Sequence, residues 1–221
     1  MTDLPELSGP SLEPASGGAA ERLVILLHGV GADGNDLIGL APHFARALPN
    51  TAFISPNAPY PCDMAPMGYQ WFSIQTQDPA VRLPEIRKTF EILNAFIDAQ
   101  LAARDLSDDR LALVGFSQGT MMSLFTAPRR PNPCAGIVAY SGRMEGGAEL
   151  AAEIKSRPPV VMVHGDQDEL LPVSSMTDAA ERLQDNDIEV ETHVHAGLGH
   201  GIDEAGLQIG LRFLHKVLAG D

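Results

Sequence analysis

The chain is poor in cysteine. Cys62 and Cys134 stand alone with no CxxC pair, too few for a disulfide framework and not in the spacing of a zinc site, so two free thiols are expected. It is also poor in cations: 15 Lys and Arg face 29 Asp and Glu, a formal charge of −14 at pH 7. Phosphate backbones draw their affinity from clustered Lys and Arg, so nucleic acid is not an expected partner, and the same negative charge repels anionic lipid surfaces. No apolar run approaches the roughly 20 residues of a membrane span. Residues 1–18 lack the positive start and apolar middle of a secretory signal, carrying Asp3, Glu6 and Glu13 among prolines and glycines. A cytoplasmic location is the resulting expectation.

What is present is a globular composition, 44% hydrophobic and 20% charged over 221 residues, which suits one large α/β domain. Residues 1–20 read as an extended or partly disordered segment that contributes at most a short edge strand, and 21–221 as the main domain. Continuous apolar runs at Leu23–Leu27, Arg110–Val114, Gly136–Ser141 and Pro159–Val163 suit strands covered on both faces. Thr51–Ser55 and Ile188–Val194 are further strand candidates. Between them, Leu37, Leu40, Ala41, Phe44 and Leu48 recur at helical spacing. Pro84 opens a helix through Leu101, Gln118–Ala127 reads as a helix, another follows Pro172, and Leu207–Leu218 closes the chain. Alternating strands and helices build a mostly parallel sheet with helices on both faces, and ligands then sit at the carboxyl ends of the strands.

The residues with chemical promise fall at those ends. Gly115-Phe116-Ser117-Gln118-Gly119 lies between a buried strand and a helix, the context of a sharp turn that holds a serine out as a nucleophile. Shuffled order would supply the bare pattern roughly 0.1 times, so the motif needs partners. They are present: Asp168 follows the strand ending at Val163, and His200 follows the strand ending at Val194. The order Ser, Asp, His differs from those of the chymotrypsin and subtilisin folds. A serine hydroxyl is a weak nucleophile until a base takes its proton; His200 suits that task near neutral pH, and a carboxylate must fix its tautomer. Asp166 competes with Asp168 for this place.

Taken together, Leu27-His28-Gly29-Val30-Gly31-Ala32-Asp33-Gly34, Trp71-Phe72, Gly115–Gly119, His164-Gly165-Asp166-Gln167-Asp168 through Pro172, and Gly199-His200 resemble the phospholipase/carboxylesterase family of α/β-hydrolases, which also contains the acyl-protein thioesterases. The resemblance runs from about Gly9 onward, and the Gly34-Asn35-Asp36-Leu37 continuation is closer to the bacterial carboxylesterases. It implies an α/β-hydrolase fold without a large lid domain, since Gly142–Arg157 is short. It implies a triad of Ser117, Asp168 and His200, with Asp166 bracing its own turn. It implies an oxyanion hole built from the backbone N–H groups of Val30 and Gln118, whose side chains would then be free to vary. No cofactor and no metal are implied, and a homodimer is.

The long stretch from Pro56 to Leu83 is too irregular for a regular element and too apolar for a solvent loop. Met64, Met67, Trp71 and Phe72 on it are expected to wall a pocket for an acyl chain. The resulting expectation is a serine esterase for small-molecule esters with short to medium acyl chains. Thioesters or lysophospholipids are the nearest alternatives, a scaffold that binds without turnover is a second class, and a dienelactone-type hydrolase is weakened by serine where cysteine is expected. His193 and His195 share a strand face and with His200 could mimic a metal triad; hydrogen-bonded strand histidines are the reading preferred. His28 and His164 are read as structural hydrogen-bonding residues.

Overall fold

A computed structural model describes residues 4–220, so residues 1–3 of the expected N-terminal segment and Asp221 lie outside the described residues. The strands are β1 (Ser11–Leu12), β2 (Arg22–Leu27), β3 (Thr51–Ile54), β4 (Tyr60–Pro61), β5 (Tyr69–Gln70), β6 (Leu111–Phe116), β7 (Gly136–Tyr140), β8 (Val160–Gly165) and β9 (Val190–His195). The α-helices are α1 (Gly34–Ile38), α2 (Ala41–Ala45), α3 (Pro79–Ala102), α4 (Gln118–Thr126), α5 (Leu150–Glu153), α6 (Ser174–Gln184) and α7 (Glu204–Ala219). The main sheet runs β1-β3-β2-β6-β7-β8-β9; every pairing is parallel except that of β1 with β3.

Alternation along the buried strands divides their side chains between two cores. Leu23, Ile25, Leu27, Leu111 and Leu113 face α3, α4 and α6, meeting Leu93, Ile97, Met122 and Leu183. Val24, Leu26, Ala112, Val114 and Val138 face the other way, onto Leu37, Phe44, Leu207 and Leu214 of α1, α2 and α7. Both faces are covered, which is why these strands read as unbroken apolar runs.

The chain leaves β2 for β3 on one side and then returns to β6 on the other. Crossovers that diverge in this way leave a crevice beyond the carboxyl ends of β2 and β6, where an open α/β sheet binds ligands. His28–Val30 follow β2 and Ser117 follows β6, so two of the expected site segments border that crevice.

Three local expectations need correction. The apolar spacing over Leu37–Leu48 is not one helix: α1 ends at Ile38 and α2 begins at Ala41, with Pro42 removing the N–H that a continuous helix would need. Helix α3 begins at Pro79, not Pro84, because Asp78 caps it by accepting from Ala80 N–H at 2.9 Å; Pro84 lies inside the helix. The Pro56–Leu83 stretch is not wholly irregular, since β4 and β5 pair as a small antiparallel ribbon.

Candidate active site

Ser117 sits at the joint of β6 and α4 with φ +53° and ψ −115°, a conformation that costs a non-glycine residue on the order of 1–3 kcal/mol. Backbone bonds hold it there: Ser117 N–H donates to Tyr140 O at 3.0 Å, and Met121 N–H donates to Ser117 O at 3.2 Å. The flanking glycines are steric necessities. A Cβ at Gly119 would fall on Leu27 O, and one at Gly115 would lie 2.5 Å from Thr120 N.

Three residues drawn from three strand ends meet here. Ser117 Oγ–H donates to His200 Nε2 at 3.0 Å, and His200 Nδ1–H donates to Asp168 Oδ2 at 2.7 Å, with the imidazole tautomer assigned from these bonds. Asp168 Oδ1 accepts from the N–H groups of Leu170 and Leu171 at 3.0 and 2.9 Å. Burial would raise the Asp168 carboxyl, but the Leu171 N–H bond, His200 and the Leu170 N–H bond outweigh it and hold the group below its ordinary range. It is therefore an anion at neutral pH. Phe116 packs on the His200 ring, with centroids 5.0 Å apart.

Asp166 takes no part in this relay. Its Oδ1 accepts from Gly197 N–H at 2.7 Å, and its own N–H donates to His195 O, so it ties the β8 turn to the loop that carries His200. His164 Nε2–H donates to Leu171 O at 2.9 Å and lies 3.2 Å from Asp168 Oδ2. His28 is fully buried between two backbone partners: Nδ1–H donates to Gly29 O at 2.7 Å and Nε2 accepts from Ala58 N–H at 3.0 Å. Burial pulls its pKa down, which keeps the ring neutral and suits this pairing. His193 pairs with Glu191 and His195 with Asp203, at 2.6 and 2.8 Å. Among the described residues no group of three or more His, Cys, Asp or Glu is arranged to hold a metal ion.

The serine opens into a cleft of about 320 Å³, whose apolar wall includes Ile74, Phe116, Met121, Leu170 and Leu171 and whose polar lining includes Gln77 and Arg143. Val30 and Gln118 line it too. The backbone N–H groups of both find no acceptor within the protein among the described residues, whereas the neighbouring Gly31 N–H donates to Tyr69 O at 2.8 Å and Ala32 N–H to Gly29 O. Two uncommitted donors thus border the space in front of Ser117.

The expected acyl-pocket residues are placed elsewhere. Met64 and Met67 are 62% and 80% exposed and do not line the cleft, because the loop projects them outward. Trp71 and Phe72 are buried in the core and act as a fastening. Trp71 Nε1–H donates to His28 O at 2.9 Å, Trp71 N–H donates to Gln118 Oε1 at 2.8 Å, and Gln118 Nε2–H donates to Phe72 O at 2.7 Å. The Gln118 side chain is therefore not free to vary. It joins α4 to the Trp71 segment, which in turn joins the loop after β2. Replacing it leaves Trp71 N–H and Phe72 O buried without partners, at about 1–3 kcal/mol each. Gln118→Ala is expected to lower the melting temperature by several degrees and kcat by about tenfold, read by calorimetry and steady-state kinetics on one preparation; an unchanged kcat would show that the clamp does not position the donors. Nothing in the residue types of Ile74, Met121, Leu170 and Leu171 marks them for the cleft. Only their proximity to site motifs could have suggested them.

A seven-stranded, mostly parallel sheet that presents a serine, an aspartate and a histidine just beyond the ends of β6, β8 and β9 defines an α/β-hydrolase. The model of the phospholipase/carboxylesterase family matches residues 14–218, and the chain belongs to that family. It is 29% identical to acyl-protein thioesterase 1 of Kluyveromyces lactis over 90% of this chain and 93% of that protein. Against esterase YpfH of Escherichia coli the identity is 28%, covering 90% and 84%. The crystal structure of esterase PE8 superposes with a TM-score of 0.92 at 41% identity, covering 96% of this chain and all of that one. The chain is a hydrolase of this esterase and thioesterase group. Among the described residues no helix is long and apolar enough to cross a membrane.

Proposed function

We infer that the protein is a serine carboxylesterase that hydrolyses short- to medium-chain carboxylic esters through an acyl-enzyme, without a cofactor. The observation that carries this reading is the unbroken relay from Ser117 Oγ through His200 to Asp168 at the mouth of an apolar cleft. In the first half-reaction Ser117 Oγ bonds to the ester carbonyl carbon while its proton passes to His200 Nε2. The electron pair displaced onto the carbonyl oxygen is met by the Val30 and Gln118 N–H groups, each such donor contributing about 3–4 kcal/mol. Collapse breaks the bond to the leaving oxygen, which takes the proton from His200. Water then repeats the sequence on the acyl-enzyme, and the acid leaves with Ser117 restored.

A cleft of about 320 Å³ suits a small acyl group and an open leaving-group side. Thioester hydrolysis on the same residues is a second reading, favoured by the likeness to a protein named acyl-protein thioesterase 1. The expected result with a fluorophosphonate probe is a covalent adduct on the peptide containing Ser117, seen by mass spectrometry. The p-nitrophenyl series from acetyl to palmitoyl is expected to peak at the short end, and matched oxygen and thiol esters assign the leaving group. A protein that takes up no probe and turns over no ester is a binding scaffold.

A further inference from the structure

Arg143 lines the same cleft as Ser117, yet no step of the esterase mechanism uses it. Its position is built with some strain. Strand β7 ends at Tyr140, Ser141 then takes φ +44°, and a Cβ on Gly142 would fall on Thr120 Cγ2 and lie 3.0 Å from Ser117 O. This turn presses against the nucleophile segment and delivers the next residue, Arg143, to the cleft.

The guanidinium is held from behind. Arg143 Nε–H donates to Glu145 Oε1 at 2.8 Å, and Nη2–H donates to Gln77 Oε1 at 3.3 Å. Among the described residues Nη1 has no protein acceptor. Glu145 is itself buried and is shared: Arg82 approaches its Oε2 with Nε at 3.2 Å and Nη2 at 3.0 Å. Two guanidinium groups on one carboxylate leave one positive charge in excess. Arg82 is closed off at 9% side-chain exposure, whereas Arg143 retains 28%, so the excess is presented at Arg143. The Asp168 carboxylate is committed to His200 and to the Leu170 and Leu171 N–H groups. In a chain of net charge −14, this is a local field of the opposite sign, aimed into the substrate cleft.

Resting on the esterase reading above, we propose that Arg143 is a specificity residue that binds an anionic group carried by the ester substrate. A fixed guanidinium with free donors is suited to a carboxylate or phosphate, and its preorganisation reduces what is lost on binding. The anion can lie on the acyl side or on the leaving-group side of the scissile bond, and the test has an arm for each. The acyl arm compares the p-nitrophenyl monoester of glutaric acid with p-nitrophenyl pentanoate. The leaving-group arm compares butyryl esters of 4-hydroxybenzoic acid and of its methyl ester.

In each arm the readout is the anionic-to-neutral ratio of kcat/KM, compared between wild type and variants so that intrinsic ester reactivity cancels. Arg143→Gln is expected to lower the ratio about tenfold or more in one arm, through KM, while Arg143→Lys, which keeps the charge but loses the fork, retains part of it. The wild-type ratio in that arm is expected to fall as salt is added. Ratios that stay within about twofold in both arms overturn the proposal. If Arg143→Gln does not fold, the salt titration of wild type decides: an insensitive ratio in both arms overturns it. Failure of the esterase reading is separate, and would show as equal turnover of the neutral esters by wild type and Ser117→Ala.

Discussion

Ser117→Ala is expected to lower kcat on p-nitrophenyl butyrate by about four to six orders of magnitude with the fold intact. The size follows from the proposed chemistry: if Oγ is the nucleophile, its removal prevents any acyl-enzyme, and what survives is binding plus any stabilisation that the proposed Val30 and Gln118 donors give to attack by water. The fold is expected to stay intact because the backbone bonds from Ser117 N–H to Tyr140 O and from Met121 N–H to Ser117 O need no hydroxyl. Alanine must adopt the same positive φ, so the strain persists. Burst kinetics offer a second reading of this experiment. Wild type should release p-nitrophenol in a burst if deacylation is slow, and the variant should show none. A variant within tenfold of wild type would mean that water attacks directly and that the serine is not the nucleophile.

Asp168→Asn is expected to cost about 10⁴ in kcat, while Asp166→Asn costs less than tenfold. The two carboxylates are only two residues apart, so the contrast is a sharp test of geometry. Asp168 accepts His200 Nδ1–H at 2.7 Å, which leaves Nε2 bare to receive the Ser117 proton. An amide can turn its NH₂ toward His200 and select the other tautomer, placing a proton on Nε2 where the base must be empty. Loss of the anion also removes the stabilisation of the imidazolium. Asp166 instead accepts Gly197 N–H, and asparagine can still accept there. Equal losses in the two variants would place the orienting carboxylate elsewhere. Both comparisons belong on the pH plateau. The Asp168 carboxyl is held below its ordinary range, so its contribution to folding is present above the unfolded value near 3.8 and is lost as the pH falls through the lower folded value.

The strands were the most legible part of the fold, for a physical reason. A strand covered on both faces must be apolar throughout, and the β-branched and leucine-rich runs at Leu23–Leu27 and Leu111–Val114, each soon followed by a glycine, match that demand. The order of strands in the sheet was not legible, because nothing in β2 names β3 or β6 as its neighbour. A helix start was misplaced where one signal stood in for another: Pro84 suits a first helical turn, but the Asp78 cap sets the start at Pro79 and leaves Pro84 inside the helix. At the site, type and spacing singled out Ser117, Asp168 and His200, and the fold brings these three within hydrogen-bond reach of one another. Residues whose role is shape could not. Met64 and Met67 have the composition of a pocket wall, but direction decides that matter, and composition carries no direction. Gln118 is the opposite case: its backbone N–H borders the cleft whatever the side chain is, but the side chain also bonds at both ends, which its place in the motif does not reveal.

The loop that follows β4 has two unlike edges. Its inner edge is tied down: Tyr69 exchanges backbone bonds with Gly31 and Ala32, and Trp71 reaches His28 and Gln118. Its outer edge is closed by Cys62 N–H donating to Gly68 O at 2.9 Å, beyond which Met64 and Met67 extend into solvent. Such an arrangement separates what variation can touch from what it cannot. Exchanges at Met64 and Met67 touch no bond to the groups around Ser117, whereas a change at Trp71 removes the indole bond to His28 O directly. The tip is thus a part of the surface that can be altered while the atoms around Ser117 stay in place, and a library intended to broaden recognition should begin there.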